Sequence, residues 1–176
     1  MLVISNFTAK LAHMPNAPSL IRPTDSEACE TARNLIQHAH FGSLAVLHPD
    51  TGLPHVTRIA IGTSPTGTPL TLISDLSFHT TALHQNPNCS LLLGEPGTKG
   101  DPLTHPRITL ACKAGIISRK STRYDQLRTR YLAQHPKAKL YIDFTDFNFG
   151  LFDIQSASLN GGFGKAYALS AHDCKP

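Results

Sequence analysis

At 176 residues, with 40% hydrophobic and 16% charged side chains, the chain has the composition of one folded domain, long enough to bury a core without disulfide or metal staples. That excludes an intrinsically disordered chain, and a formal charge of +4 is too small to point to nucleic acid, although ten histidines make it sensitive to pH near neutrality. The cysteines at 29, 89, 112 and 174 show no CxxC or Cys/His ligand spacing, no apolar run reaches the roughly twenty residues of a membrane span, and residues 1–20 lack the pattern of a secretory signal. The expectation is a cytoplasmic protein with free thiols, no metal site, and no nucleic-acid or membrane partner.

In chain order, residues 1–24, with Pro15, Pro18 and Pro23, read as an arm that is mobile or lies across a neighbour, and residues 25–176 as a single domain. Thr24 or Asp25 can cap a helix whose apolar face is Ala28, Ala32, Leu35, Ile36 and Ala39. Residues 41–47 read as a buried strand, Pro49-Asp50-Thr51-Gly52 as a tight turn, and 53–62 as an antiparallel return. Period two on that return puts Val56, Arg58 and Ala60 on one face and Thr57, Ile59 and Ile61 on the other. After a second turn at 64–68, residues 70–74 form a strand, 80–86 a short helix stopped by Pro87, and 90–93 another strand. Residues 95–106 are a loop and 107–118 a long fifth strand of the meander. An amphipathic helix over 119–135 carries Tyr124, Leu127, Tyr131 and Leu132 inward and a basic outer face, read as a solvated face. A last long strand over about 148–158, a glycine loop at 161–164 and a short strand at 166–169 close the chain. Mainly β, with flanking helices, the pattern predicts a closed or nearly closed antiparallel barrel, which removes exposed edges.

The stretch 70–94 carries the densest polar chemistry. Ser77 can cap the short helix, the amides of His79, Thr80 and Thr81 would be unpaired there, and hydroxyls of Ser74, Ser77, Thr80 and Thr81 crowd the same place. A phosphate would satisfy these donors; ordinary helix capping needs only one of them. Arg58, in an otherwise apolar strand, requires either an anionic partner or an edge position facing water. Arg107 is a similar but weaker candidate. The loop around Phe163 could let backbone approach a flat ring, or be a plain C-terminal turn. Asp143 and Asp146, three apart, could be an acid pair or turn residues, and the histidine pairs 38/40 and 48/55 lack acidic or thiol neighbours at ligand spacing.

Four blocks in order carry a family resemblance: Phe41-Gly42-Ser43-Leu44-Ala45 with its turn, residues 74–93, Gly100-Asp101-Pro102-Leu103 running into Arg107-Ile108-Thr109-Leu110, and residues 141–152 followed by Gly161-Gly162-Phe163-Gly164-Lys165-Ala166. Over about 32–169 the chain resembles the FMN-binding split barrels of the pyridoxamine 5′-phosphate oxidase superfamily, in particular the oxidase-like proteins grouped with haem utilisation. The resemblance implies a six- to seven-stranded antiparallel split β-barrel, a homodimer, and an FMN-dependent oxidoreductase with flavin at the subunit interface. Carried over by position, Thr57, Arg58, Ile59 and Ala60 would line the flavin, Ser74, His79 and Thr80 would hold its phosphate, and Arg107, Phe163 and Gly164 would approach from across the interface. At Gly164-Lys165-Ala166 the chain departs from the oxidases, which carry arginine and histidine there, so oxidation of pyridoxamine phosphate is not expected. The alternatives are a haem-binding or haem-degrading protein on the same barrel, with His172 the one histidine near the C-terminus, and a flavin-binding module without turnover.

Overall fold

The structure is a computed structural model that describes residues 21–176. Helix α1 (Ser26–Gln37) starts where Asp25 accepts a hydrogen bond from the Ala28 amide at 2.8 Å, and it buries Ala28, Ala32 and Ile36 at helical spacing. Strands β2 (Phe41–Leu47) and β3 (Pro54–Ala60) form the expected hairpin, closed by Gly52 at φ 69°. Their inward residues Leu44, Val46 and Ile59 are buried. Then come β4 (Gly62–Thr63), β5 (Pro69–Ser74), α2 (Phe78–Gln85), β6 (Asn88–Leu93), β7 (Arg107–Ile117), α3 (Tyr124–Gln134), β8 (Phe147–Asn160) and β9 (Ala166–Ser170), with β1 (Ile21–Arg22) at the other end of the chain. Two of the nine strands have only two residues, which leaves seven substantial ones.

The spatial order is not a meander. Neighbours run β1-β9-β8-β7-β6-β2-β3, while β5 leaves this path to pair with the first half of β8. Strand β8, 14 residues long, therefore serves both halves of the sheet. Among the described residues β3 and β5 share no ladder, so the sheet is a split barrel and is not closed, and β3 keeps a free edge. The larger core lies under α1 against β2, β6 and β7, and a smaller one packs Tyr124, Leu127 and Tyr131 of α3 on Leu70 and Phe149.

Several boundaries shift. Helix α2 starts two residues earlier than its apolar pattern suggests, and α3 starts only at Tyr124, after turns closed by Ser121 N–H to Ser118 and Tyr124 N–H to Ser121, while the Arg119 side chain donates to the carbonyls of Ile142 and Phe144 at 3.0 and 3.1 Å. Arg128 holds Asp143 through two bonds of 2.9 and 2.6 Å. Two residues of the basic face thus bind the segment 142–144, and Asp143 is no partner for Asp146. The end of the arm lies on its own chain: β1 pairs in parallel with β9, and the Thr24 hydroxyl donates to the Ala168 carbonyl. The rest of the arm falls outside the described residues. Among the described residues no helix is long and apolar enough to cross a membrane.

Candidate functional site

The polar stretch after β5 is built from hydrogen bonds that its sequence does not display. The Ser74 hydroxyl donates to the carboxylate of Asp146 in the turn before β8, and the same oxygen accepts from the Leu76 amide at 3.1 Å. Thr80 is buried, and its hydroxyl donates to the Ser74 carbonyl at 2.7 Å. Ser77 occupies the N-cap position of α2, yet its side chain makes no capping bond; its carbonyl instead receives the amides of Thr80 and Thr81 at 3.0 and 3.3 Å. Two of the three amides expected to await a phosphate are therefore paired. The hydroxyls of Ser74 and Thr80 tie helix to strand, and the Asp146 carboxylate beside Ser74 disfavours an anion there.

His79 stands apart from this lock. In the first turn of α2, it leans on the edge strand with Nδ1 3.4 Å from the Thr57 hydroxyl. Burial, and then the nearby His55, hold its pKa below the usual imidazole value, so the neutral ring is favoured. Phe78 packs between the rings of His55 and His48, with centroids 4.4 and 5.1 Å away. Thr57, His55, Phe78 and His79 thus form one half-exposed patch at the free edge of the sheet.

Arg58 lies on the opposite face of β3 from Thr57, as the alternation requires, exposed over the Phe41 ring at 5.6 Å from its centroid. Its guanidinium makes no hydrogen bond or ion pair to a described residue. This is the edge-strand environment, and because the edge is free, one flat group seated there can touch residues of both faces. Ile59 is buried in the core and unavailable to a ligand, and Ala60 pairs with Phe41 at the start of the hairpin. Arg107 is three strands away, on β7, with its guanidinium on the carbonyls of Leu103 and His105 at 2.9 and 3.4 Å. Phe163 is 96% exposed, and Gly164, at φ 69°, sits in the β8–β9 loop. Within one chain Arg107, Phe163 and Gly164 are not gathered with Arg58 and His79. His172 is exposed in the turn after β9, five steps along the sheet from β3.

Sequence reasoning missed His55, Phe78 and His48 as one cluster; the signal available was the hairpin register, which returns His55 opposite Val46, two residues before His48. It also missed the outer sheet face. There Phe41, Ala45, Val56, Leu92 and Ala111 form a surface with no carboxylate among them, and Val56 remains 60% exposed.

A split barrel with helices outside it, a free edge strand and a histidine-aromatic patch beside that edge defines the class. The chain belongs to the CREG β-barrel family, whose model matches residues 23–173. It is 38% identical over 128 residues to the non-canonical heme oxygenase HOZ, chloroplastic, of Arabidopsis thaliana, which covers 70% of this chain but only 37% of that protein. The chain thus spans little more than a third of that relative. Among solved structures, the heme binding protein from Mycobacterium smegmatis is 28% identical with a TM-score of 0.75, covering 88% of this chain and 61% of that one. Protein Atu2129 from Agrobacterium tumefaciens is 31% identical with a TM-score of 0.76, covering 91% of this chain and 66% of that one.

Proposed function

We propose that this protein binds haem, as a member of the haem-utilisation-related subgroup of split barrels, and that the patch at the β3 edge is where the haem seats. The observation that carries the reading is the way the residues after β5 are engaged. Ser74 and Thr80, which a flavin phosphate would need, are bonded within the chain, whereas His79, Phe78 and Arg58 are left able to meet a flat, amphipathic anion. A haem asks for that set: an imidazole for iron, apolar rings for the macrocycle, and a cation for the propionates. When bound, the haem supplies redox chemistry at iron, and in such a site the protein orients it and excludes water. The relatives named above support this reading over the flavin one.

The barrel is further proposed to act as a homodimer through the outer sheet face. The four strands that carry these residues, about 4.8 Å apart and some 20 Å long, present roughly 400 Å² of flat surface, about half of the ~800 Å² per partner of a stable interface, with the rim supplying the rest. A second copy would also bring Arg107 and the Phe163 loop toward the edge site of its partner.

Titration of the purified chain with ferric protoporphyrin IX tests the reading. A stoichiometric Soret band, with FMN failing to compete, is expected; stoichiometric uptake of FMN without haem binding would overturn it in favour of the flavin alternative. Addition of an electron donor under oxygen then separates a haem-degrading enzyme, which loses the Soret band, from a carrier, which keeps it. Light scattering reports the dimer, and Val56→Glu is expected to dissociate it.

A further inference from the structure

We infer that His79 is the residue through which this chain ligates haem iron, with Thr57 as its positioning residue. The inference rests on the haem reading above and adds the identity of the ligand. An imidazole ligates through a nitrogen lone pair, so the other nitrogen must carry the proton and is best fixed by an acceptor. The hydrogen bonds of the described histidines sort them on this criterion.

His105 accepts from the Gly97 amide at Nδ1 and donates to the Lys99 carbonyl at Nε2, which engages both nitrogens. His48 accepts from the Asp50 amide at Nδ1, so its proton sits on Nε2 and blocks the exposed nitrogen. His135 donates from Nε2 to the Ile61 carbonyl and keeps Nδ1 free, but its ring is packed against those of Tyr131 and His40, at centroid distances of 4.7 and 6.2 Å, away from any exposed cation or apolar ring of the edge patch. His40, His55, His84 and His172 have no ring nitrogen fixed by a hydrogen bond. Two remain with a partner at Nδ1 alone and Nε2 free. They are His38, whose Nδ1 donates to the Asn34 carbonyl at 2.9 Å, and His79, whose Nδ1 lies 3.4 Å from the Thr57 hydroxyl, an oxygen able to accept its proton in the tautomer that a metal at Nε2 requires.

Surroundings decide between them. His38 is exposed at the end of α1, beside a groove that includes the carboxylate-bearing Glu95, an unfavourable neighbour for haem propionates. His79 is half-buried, has Phe78 next to it in sequence and His55 close by, and leans on the residue adjacent to Arg58. A group seated on the free edge of β3 can therefore meet an imidazole from one face and a guanidinium from the other.

The test loads the full chain with haem and reads spectra. The wild type is expected to show an imidazole-ligated Soret band and electron paramagnetic resonance signal, lost in His79→Ala and restored by added imidazole, while His38→Ala keeps both. Thr57→Val is expected to retain the ligand, shift the iron–imidazole stretch of the ferrous protein, and weaken haem binding by about tenfold. Circular dichroism checks that each variant is folded, and imidazole rescue keeps the test decisive if His79→Ala is less stable. Wild-type spectra in a folded His79→Ala protein, or their loss in His38→Ala, would overturn the assignment and leave the haem reading intact. A wild type that takes up no haem would sink both.

Discussion

Replacing Thr80 by valine separates a structural hydroxyl from a ligand-binding one. The side chain is 1% exposed, and its hydroxyl donates to the Ser74 carbonyl at 2.7 Å. Valine has nearly the same shape, so no cavity opens, and the loss is the hydrogen bond itself. The Ser74 carbonyl also accepts from the Ser77 amide at 3.0 Å, so it is not left orphaned in the variant. The loss therefore falls near the middle of the usual range, about 1 kcal/mol. For a chain of this length that corresponds to a fall of about 2–4 °C in melting temperature. Thermal unfolding followed by circular dichroism measures it, and parallel titrations with haem and FMN measure the site. The expected result is a lower melting temperature with the haem affinity unchanged within about twofold and FMN still not competing, since 1.4 kcal/mol is a factor of ten and no ligand contact is removed. An unchanged melting temperature together with a tenfold loss of affinity would refute the reasoning, because it would mean that the hydroxyl faces a ligand and not the strand.

Phe149→Ala removes a fully buried ring packed between Tyr124 and Tyr131, at centroid distances of 5.1 and 5.5 Å, and is expected to cost about 3–5 kcal/mol in denaturant unfolding. Arg58→Ala is expected to weaken haem binding by about 1.5–3 kcal/mol, the value of a charge-assisted bond, with little change in melting temperature because the Phe41 contact is exposed. Burial raises the Cys89 and Cys174 thiols to about 11 and pushes Cys112 higher still, so iodoacetamide near pH 8 should label half-exposed Cys29 first, as mass spectrometry of the native protein would show. Because folding holds these three thiols protonated, their contribution to stability is complete below the unfolded thiol value of 9.0 and is lost as the pH rises through the folded values; urea midpoints should fall between pH 9 and 11.

The parts of this structure that were legible in the sequence are those written in neighbouring residues. Asp25 capping α1, the Gly52 turn and the two faces of β3 depend on groups within a few positions of one another, and the alternation from Val56 to Ile61 appears as read. Strand partners were not legible in the same way. Strand β2 pairs with β6, and β5 pairs with β8 some 80 residues later, so a sequential meander was the default that long-range pairing displaced. Resemblance supplied the split barrel where periodicity could not. The phosphate seat went astray for a related reason. Counting hydroxyls over residues 74–81 counts donors, but what a donor does is decided by the nearest acceptor, and acceptors arrive from anywhere in the chain. Asp146 reaches Ser74 from 72 positions away, and Thr57 reaches His79 from 22. The first contact turns an apparent anion site into a fastening between β5 and the turn before β8. The second sets the ring of His79, expected to help hold the phosphate, against the edge strand, where burial and then His55 favour its neutral form. A cluster of hydroxyls at a strand end marks a ligand site only where the fold brings up no acceptor of its own, and for Ser74 and Thr80 it brings up two.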